Sequence, residues 1–129
     1  MSLLKTFGIS SSGLTAERYR MDVISANLAN ANTMRANGQD PYRRKMVVLM
    51  ENGAGVAIQG QVEDATAFRE AYEPGNPNAD EKGIVYYSNV DPIYEMVDMI
   101  SASRAYEANL NAFNLTKQMV QSALDIGRV

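Results

Sequence analysis

The sequence predicts a mainly α-helical chain with a small β insert, its N- and C-terminal helices paired as a coiled-coil-like hairpin that brackets a short β-hairpin and loop region. Three observations lead there. Glycine and proline are absent from Leu14 to Asn37 and from Ile93 to Ile126 but crowd the stretch between, so helix breakers are confined to the middle. Apolar residues recur at helical spacing in both flanks and alternate with polar residues in parts of the middle. The length, 129 residues, suits one domain with a small insert. The expected division is 1–33 with 90–129 as a discontinuous terminal-helix domain and 34–89 as a β-rich insert.

In the first helix Phe7, Leu14, Met21 and Leu28 repeat every seven residues, with Ile24 and Ala31 at intermediate apolar positions, a short coiled-coil-like seam. Ser10-Ser11-Ser12-Gly13 falls inside it, and four poor helix formers predict fraying before Leu14 in a free monomer. The helix should stop near Asn32-Thr33, because asparagine tolerates the left-handed conformation that ends helices.

The middle reads as short strands. Lys45 to Met50 is one, and Val56, Ile58 and Val62 alternate with Gln59, Gln61 and Glu63 to make a second. Gly53-Ala54-Gly55 turns between them. Ala67 to Tyr72 and Ile84 to Ser88 are weaker candidates, separated by the turn chemistry of Pro74-Gly75-Asn76-Pro77-Asn78.

The last helix has a defined start, with Asp91 as N-cap, Pro92 at the first helical position and Glu95 complementing the positive end of the dipole. From Ile93 to Ile126 it would run roughly 50 Å, with Gly127 at its stop. Met96, Met99, Tyr106, Leu110, Phe113, Val120 and Leu124 form one apolar stripe. Ala108, Ala112, Leu115, Met119, Ala123 and Ile126 form another, on the order of 150° away. One partner helix covers only one stripe, so the second marks an interaction surface. The expected seam sets Phe7, Leu14, Met21, Ile24 and Leu28 against Tyr106, Leu110, Phe113, Val120 and Leu124.

Composition narrows the chemistry. Without cysteine there are no disulfides or thiolate sites, and without histidine the commonest general base and metal ligand are missing. The formal charge of −3 gives no mandate for nucleic acid or an acidic membrane. The opening residues lack the apolar core of a cleavable secretory signal, and no segment reaches the ~20 apolar residues that span a bilayer.

Individual motifs favour plain readings. Asn76-x-Asn78-x-Asp80 has the oxygen spacing of a calcium loop, but the required glycine and bidentate acid fall at Glu81 and Tyr87, so it reads as a solvated turn. Gly53-x-Gly55 lacks the rest of a dinucleotide fingerprint. Arg43-Arg44-Lys45 reads as a solvated strand edge and a candidate set of lateral contacts. Glu95 and Asp98, one turn apart, read as an exposed helix face. Asn27 with Asn30, and Asn111 with Asn114, are amides one turn apart; they either fix register within a seam or lie on the solvated face.

Two of these stretches carry a family resemblance. Ser25-Ala26-Asn27-Leu28-Ala29-Asn30-Ala31-Asn32-Thr33 resembles the N-terminal signature of the bacterial flagellar basal-body rod and hook proteins. Glu95 to Asn109, including Ser103, Arg104 and Tyr106, resembles their C-terminal signature. Short length, Tyr72 to Gly83 and Pro41-Tyr42-Arg43-Arg44-Lys45 make the chain most similar to the proximal-rod members.

The resemblance implies a structural subunit rather than an enzyme, with no cofactor, small-molecule substrate or nucleic acid. Its implied partners are other rod subunits in homo- and hetero-oligomeric contact, proteins of the membrane-ring/rod junction, and the flagellar type III export apparatus. It implies a place in the rod crossing the periplasm, reached without a cleavable signal peptide. There the assembled subunits form a hollow axial shaft that transmits torque and conducts exported subunits. A small helical adaptor or export chaperone is the alternative that exposed apolar helices also allow.

Overall fold

A computed structural model describes residues 2–128; Met1 and Val129, the ends of the expected terminal-helix domain, lie outside the described residues. The elements run α1 (Leu3–Ala29), β1 (Lys45–Asn52), β2 (Gly55–Glu63), β3 (Arg69–Tyr72), β4 (Ile84–Tyr87) and α2 (Pro92–Ile126). Two long helices, of 27 and 35 residues, thus bracket two small sheets, β1–β2 and β3–β4. The mainly α class with a small β insert is what the chain adopts. By contact it gathers into two compact units, one of Met1–Met21, Val47–Gly60 and Ile100–Val129, the other of Asp22–Met46 and Gln61–Met99.

In the first unit α1 is already helical at Leu3, so the fraying expected before Leu14 is not seen. Hydroxyls supply the reason. The Lys5 N–H donates to Ser2 Oγ at 3.1 Å, the Ser12 hydroxyl donates to the Ile9 carbonyl at 2.7 Å, and the Thr15 hydroxyl donates to the Ser11 carbonyl at 3.2 Å. Side chains that ordinarily compete with a helix here bond back onto it. Ser12 Oγ also accepts the Val56 N–H at 3.1 Å, which seats the start of β2 on α1. Gly55 meets that approach at φ 132°, and a Cβ there would strike Ser12 Oγ and lie 3.3 Å from the Ile9 Cα. Further along, Phe7 and Phe113 meet edge-to-face with ring centres 5.0 Å apart. Gly13 faces the Asn109 amide so closely that a Cβ would fall 2.7 Å from its Oδ1. Partners that pair 7 with 113 and 13 with 109 place the two helical segments antiparallel.

In the second unit the chain leaving α1 runs beside β4. The Ser88 N–H donates to the Thr33 carbonyl at 3.0 Å and the Arg35 N–H to the Tyr86 carbonyl at 2.8 Å, around a Met34–Tyr87 bridge. Asn37 and Gly38, at φ 52° and 75°, then reverse it between Ala36 and Gln39. This turn went unread in the sequence although Asn-Gly is the strongest short-range hairpin signal. β3 and β4 pair antiparallel from Arg69↔Tyr87 to Tyr72↔Ile84. Val23, Ile24, Ala31, Val85 and Val90 are the buried apolar residues of this unit. The Asn76–Asp80 stretch is a self-capped turn: Asp80 Oδ1 accepts the N–H groups of Lys82 and Ile84, both at 2.9 Å. α2 starts as expected, its Asp91 Oδ1 accepting the Ile93 N–H at 3.0 Å and the Tyr94 N–H at 3.4 Å.

The seating of β2 on α1 is open to test. Gly55→Ala should lower the unfolding free energy by about 1–3 kcal/mol, the cost of a side chain held at an unfavourable backbone angle. Gly53→Ala, with open space around it, should change it by less than about 0.5 kcal/mol. Urea unfolding of both variants checks this, and equal midpoints would show that the approach is not tight.

Candidate functional site

Two of the most deeply buried polar residues of the second unit come together in one cluster. Glu95 in the first turns of α2 is 0% exposed and Asn27 near the end of α1 is 1% exposed. The expectation that Glu95 and Asp98 form an exposed helix face is therefore corrected: Glu95 is buried and Asp98 half-buried. The reason is a cation that spacing alone did not pair with them. The Arg44 guanidinium reaches Glu95 Oε1 through Nε, Asp64 Oδ2 at 3.2 Å and Asp98 Oδ2 at 3.5 Å, and it lies 5.5 Å from the centre of the Tyr94 ring. A buried carboxylate is tolerable only when paired and hydrogen-bonded.

Asn27 completes the cluster with every bond an amide can make. Its Nδ2 donates to the Lys45 carbonyl at 2.9 Å and to Glu95 Oε2 at 3.3 Å. Its Oδ1 accepts the Tyr42 hydroxyl at 2.8 Å and the Lys45 N–H at 3.1 Å. One side chain thereby satisfies both main-chain groups of the first residue of β1, as a neighbouring strand would. Asn89 acts similarly nearby: its Oδ1 accepts the Arg44 N–H at 2.6 Å and its Nδ2 donates to the carbonyls of Asp64 and Thr66 at 3.1 and 3.0 Å.

The three expected lateral cations are accordingly placed apart. Arg44 is turned into the cluster, its side chain 16% exposed, rather than lying on a solvated strand edge. Arg43 donates to the carbonyls of Asp64 and Thr66 and stacks 4.2 Å from the Phe68 ring centre. Lys45 Nζ lies 5.7 Å from the Tyr42 ring centre.

Charge and hydrogen bonding shift three groups here. Burial raises the Tyr42 hydroxyl above its ordinary 10.0, helped by the charges of Glu95 and Glu63. Burial would lower Arg44, but its bond to Glu95 and the nearby carboxylates outweigh this and raise it. The Thr66 hydroxyl and N–H hold Asp64 below its ordinary 3.8, with Arg44 adding to the effect.

Of the expected motif residues, Asn27 alone among the three signature asparagines is buried. Ser25 and Asn32 are exposed, and half-buried Asn30 bonds the Ala26 carbonyl at 2.8 Å. Thr33 donates to the Asn30 carbonyl at 3.0 Å while accepting the Tyr42 N–H at 2.9 Å, tying the signature to the start of β1. In the C-terminal signature Arg104 is exposed, Ser103 half-buried, and half-buried Asn109 bonds the Ala105 carbonyl at 3.0 Å.

Along α2 a covered line of Glu95, Met99, Ala102, Tyr106, Asn109, Phe113, Thr116 and Val120 steps alternately by four and three, with Asp98, Ser103 and Ala105 half-buried beside it. Met99, Tyr106, Phe113 and Val120 of the expected stripe fall on this line, whereas Met96, Leu110 and Leu124 are exposed in the single chain. On α1, Ile24 is buried and Phe7, Leu14, Met21 and Leu28 half-buried, but Ser10, Ala16, Val23 and Asn27 are covered more deeply than those four. A search for large apolar residues missed the small and polar ones at the same spacing, which are what a close helix approach selects. The second stripe lies open: Leu115, Met119 and Ile126 are 58%, 51% and 77% exposed, with Ala108, Ala112 and Ala123 exposed beside them. Ile93, Val97 and Ile100 are also exposed near the helix start. Among the described residues no helix is long and apolar enough to cross a membrane, and none of their carboxylates group as a metal site.

Lowering the pH should test the Asp64 contacts. A carboxyl held below its ordinary value adds stability above about pH 3.8 that is lost as pH falls through the depressed value. Thr66→Ala should move the Asp64 titration upward and bring acid unfolding to higher pH, read by carboxyl NMR and circular dichroism. An unmoved Asp64 titration would contradict the assignment.

Comparison with known proteins places both signatures. The family description "Flagella basal body rod protein" matches residues 8–36, and "Flagellar basal body rod FlgEFG protein C-terminal" matches residues 81–126. The "Flagellar basal-body rod protein FlgC" of Bacillus subtilis is 43% identical over 99% of this chain and 100% of its own length. Those of Escherichia coli O157:H7, at 42% over 99% and 100%, and of Aquifex aeolicus, at 38% over 97% of each, are similar throughout. Asn27 and Glu95, the deepest residues of the buried cluster, fall one in each matched segment, and the chain belongs to the flagellar basal-body rod protein family.

Proposed function

We propose that the chain is a structural subunit of the flagellar basal-body rod. The observation that carries the reading beyond family membership is the open stripe of α2, from Ala108 through Leu115 and Met119 to Ile126. A contiguous apolar helix face of that length is suited to burial against neighbours. Relatives aligned over their whole length and named FlgC favour a place in the proximal rod. There the subunit would help build a hollow shaft across the periplasm that transmits torque and passes exported subunits. Its terminal helices would form a coiled-coil-like hairpin, supported by the Phe7–Phe113 and Gly13–Asn109 contacts. Other rod subunits are its primary partners; the membrane-ring junction and the type III export apparatus, through which it would pass without a cleavable signal, follow from the same reading. Arg43 and Lys45 remain candidates for lateral contacts. The helices and the 34–89 insert would then act as an inner assembly domain and an outer contact domain.

The physical logic is folding coupled to assembly. Ordering each residue costs about 1–2 kcal/mol of backbone entropy, and burying each large apolar side chain returns about 1.5–3 kcal/mol. Leu115, Met119 and Ile126 contribute fully only when a neighbour covers them. An adaptor or export chaperone would show the same open face but would bind a client in the cytoplasm and stay out of basal bodies.

Purified basal bodies separate these readings. The wild-type protein should be found in them, and Leu115→Asp should fall by at least about 10-fold there. Its monomer stability should change by less than about 0.5 kcal/mol, since the residue is exposed. Wild-type incorporation of Leu115→Asp would contradict the role of this stripe, and absence of the wild-type protein from basal bodies would contradict the rod assignment.

A further inference from the structure

We infer that the buried Glu95–Arg44 pair acts as a register key: it specifies one packing of the last turns of α1 against the first turns of α2, and so fixes that Ile93, Met96 and Val97 on those turns stay exposed for assembly. The inference rests on the rod-subunit reading for its last step only.

The geometry that carries it lies within the second unit. Arg44 addresses three carboxylates from three N–H positions, and Asn27 uses all four of its hydrogen-bonding positions. Asn27 has no hydrogen-bonding position to spare, and the Arg44 contacts join Asp64 to two residues of α2. Sliding α2 by one turn, about 5.4 Å, would bring Asp91 or Met99 to the place of Glu95. With Met99 there, the Arg44 guanidinium would lose its buried partner and Asn27 an acceptor. With Asp91 there, the shorter acid would have to leave its cap of the Ile93 and Tyr94 N–H groups.

Apolar packing alone does not discriminate as well. The covered apolar residues of both helices in this unit are Val23, Ile24, Leu28 and Met99, and Ile24 has Met21 and Leu28, and Met99 has Met96, as apolar neighbours one turn away. Hydrophobic burial is non-directional, whereas an unpaired buried charge is heavily penalised. Ile93, Met96 and Val97 flank Glu95 on α2 and are exposed. A slipped or rotated helix would therefore bury part of that apolar surface and present a charge in its place. A buried polar group that sets register at the expense of stability is an established device in helical pairs.

The test separates specificity from stability. Arg44→Met with Glu95→Leu replaces the pair by apolar groups of similar volume. The expected result is a cooperative unfolding transition at or above the wild-type midpoint, together with more than one set of amide NMR signals for residues 22–46. Incorporation into basal bodies should fall at least about 10-fold relative to wild type. A single native-like set of signals with wild-type incorporation would overturn the inference. Should the double variant fail to fold, Glu95→Gln decides, because it keeps the side chain's shape while removing the charge and one of the two acceptor oxygens that face Arg44 and Asn27. Cooperative unfolding with at least about 10-fold lower incorporation supports a register key, and wild-type incorporation overturns it. If the wild-type protein itself is missing from basal bodies the rod reading fails, while the NMR signal count still decides the register claim.

Discussion

The buried carboxylate of Glu95 is the constraint on which the second unit depends. Removing a charge from water costs several kcal/mol even after relaxation, so a fully buried glutamate obliges its surroundings to supply a cation and a donor. Arg44 and Asn27 do so, and satisfying them recruits the rest. Asn27 pairs both main-chain groups of Lys45, Tyr42 closes over the amide, and Asp64 and Asp98 take the remaining Arg44 contacts. Four segments remote in sequence are held by groups that have few other ways to be satisfied.

Elsewhere the packing is of a different kind. In the first unit the helices meet through an aromatic pair and a glycine lying against an amide, with buried Ser10, Ala16, Ala102 and Thr116 along their covered lines. Small residues permit close approach but bury little apolar area each. The large apolar side chains of the last turns of α2 point largely to water. Such a helix is stable enough to hold its shape within the chain yet keeps a long surface available, which suits a subunit completed by its neighbours.

Much of the architecture was legible in the sequence because it depends on local rules. Confined breakers located both helices, Asp91 and Pro92 marked the start of α2, the apolar run after Lys45 located β1, and alternation located β2. The open second stripe was also legible, from periodicity alone. What was not legible depends on partners far away in the chain. Glu95 in a first turn reads as a helix-dipole complement whether it is buried or not, and Arg43, Arg44 and Lys45 are indistinguishable until the strand's pleat and the facing acids are known. Asn27, Asn30 and Asn32 share a composition and differ only in what lies opposite. Fraying was expected before Leu14 because helix propensity counts serine as a competitor for the backbone, whereas here Ser12 serves both its own helix and β2. The covered line of α2 was only half read, since a stripe sought among large apolar residues passes over Ala102, Asn109 and Thr116.

The most direct measurement of the central claim is the urea unfolding free energy of Glu95→Ala in the isolated protein. Leaving Arg44 buried with its main partner gone should cost about 3–5 kcal/mol, the usual penalty for breaking a buried pair from one side. A loss below about 1 kcal/mol would mean that the pair is effectively solvated, and that the second unit is held by its apolar residues instead.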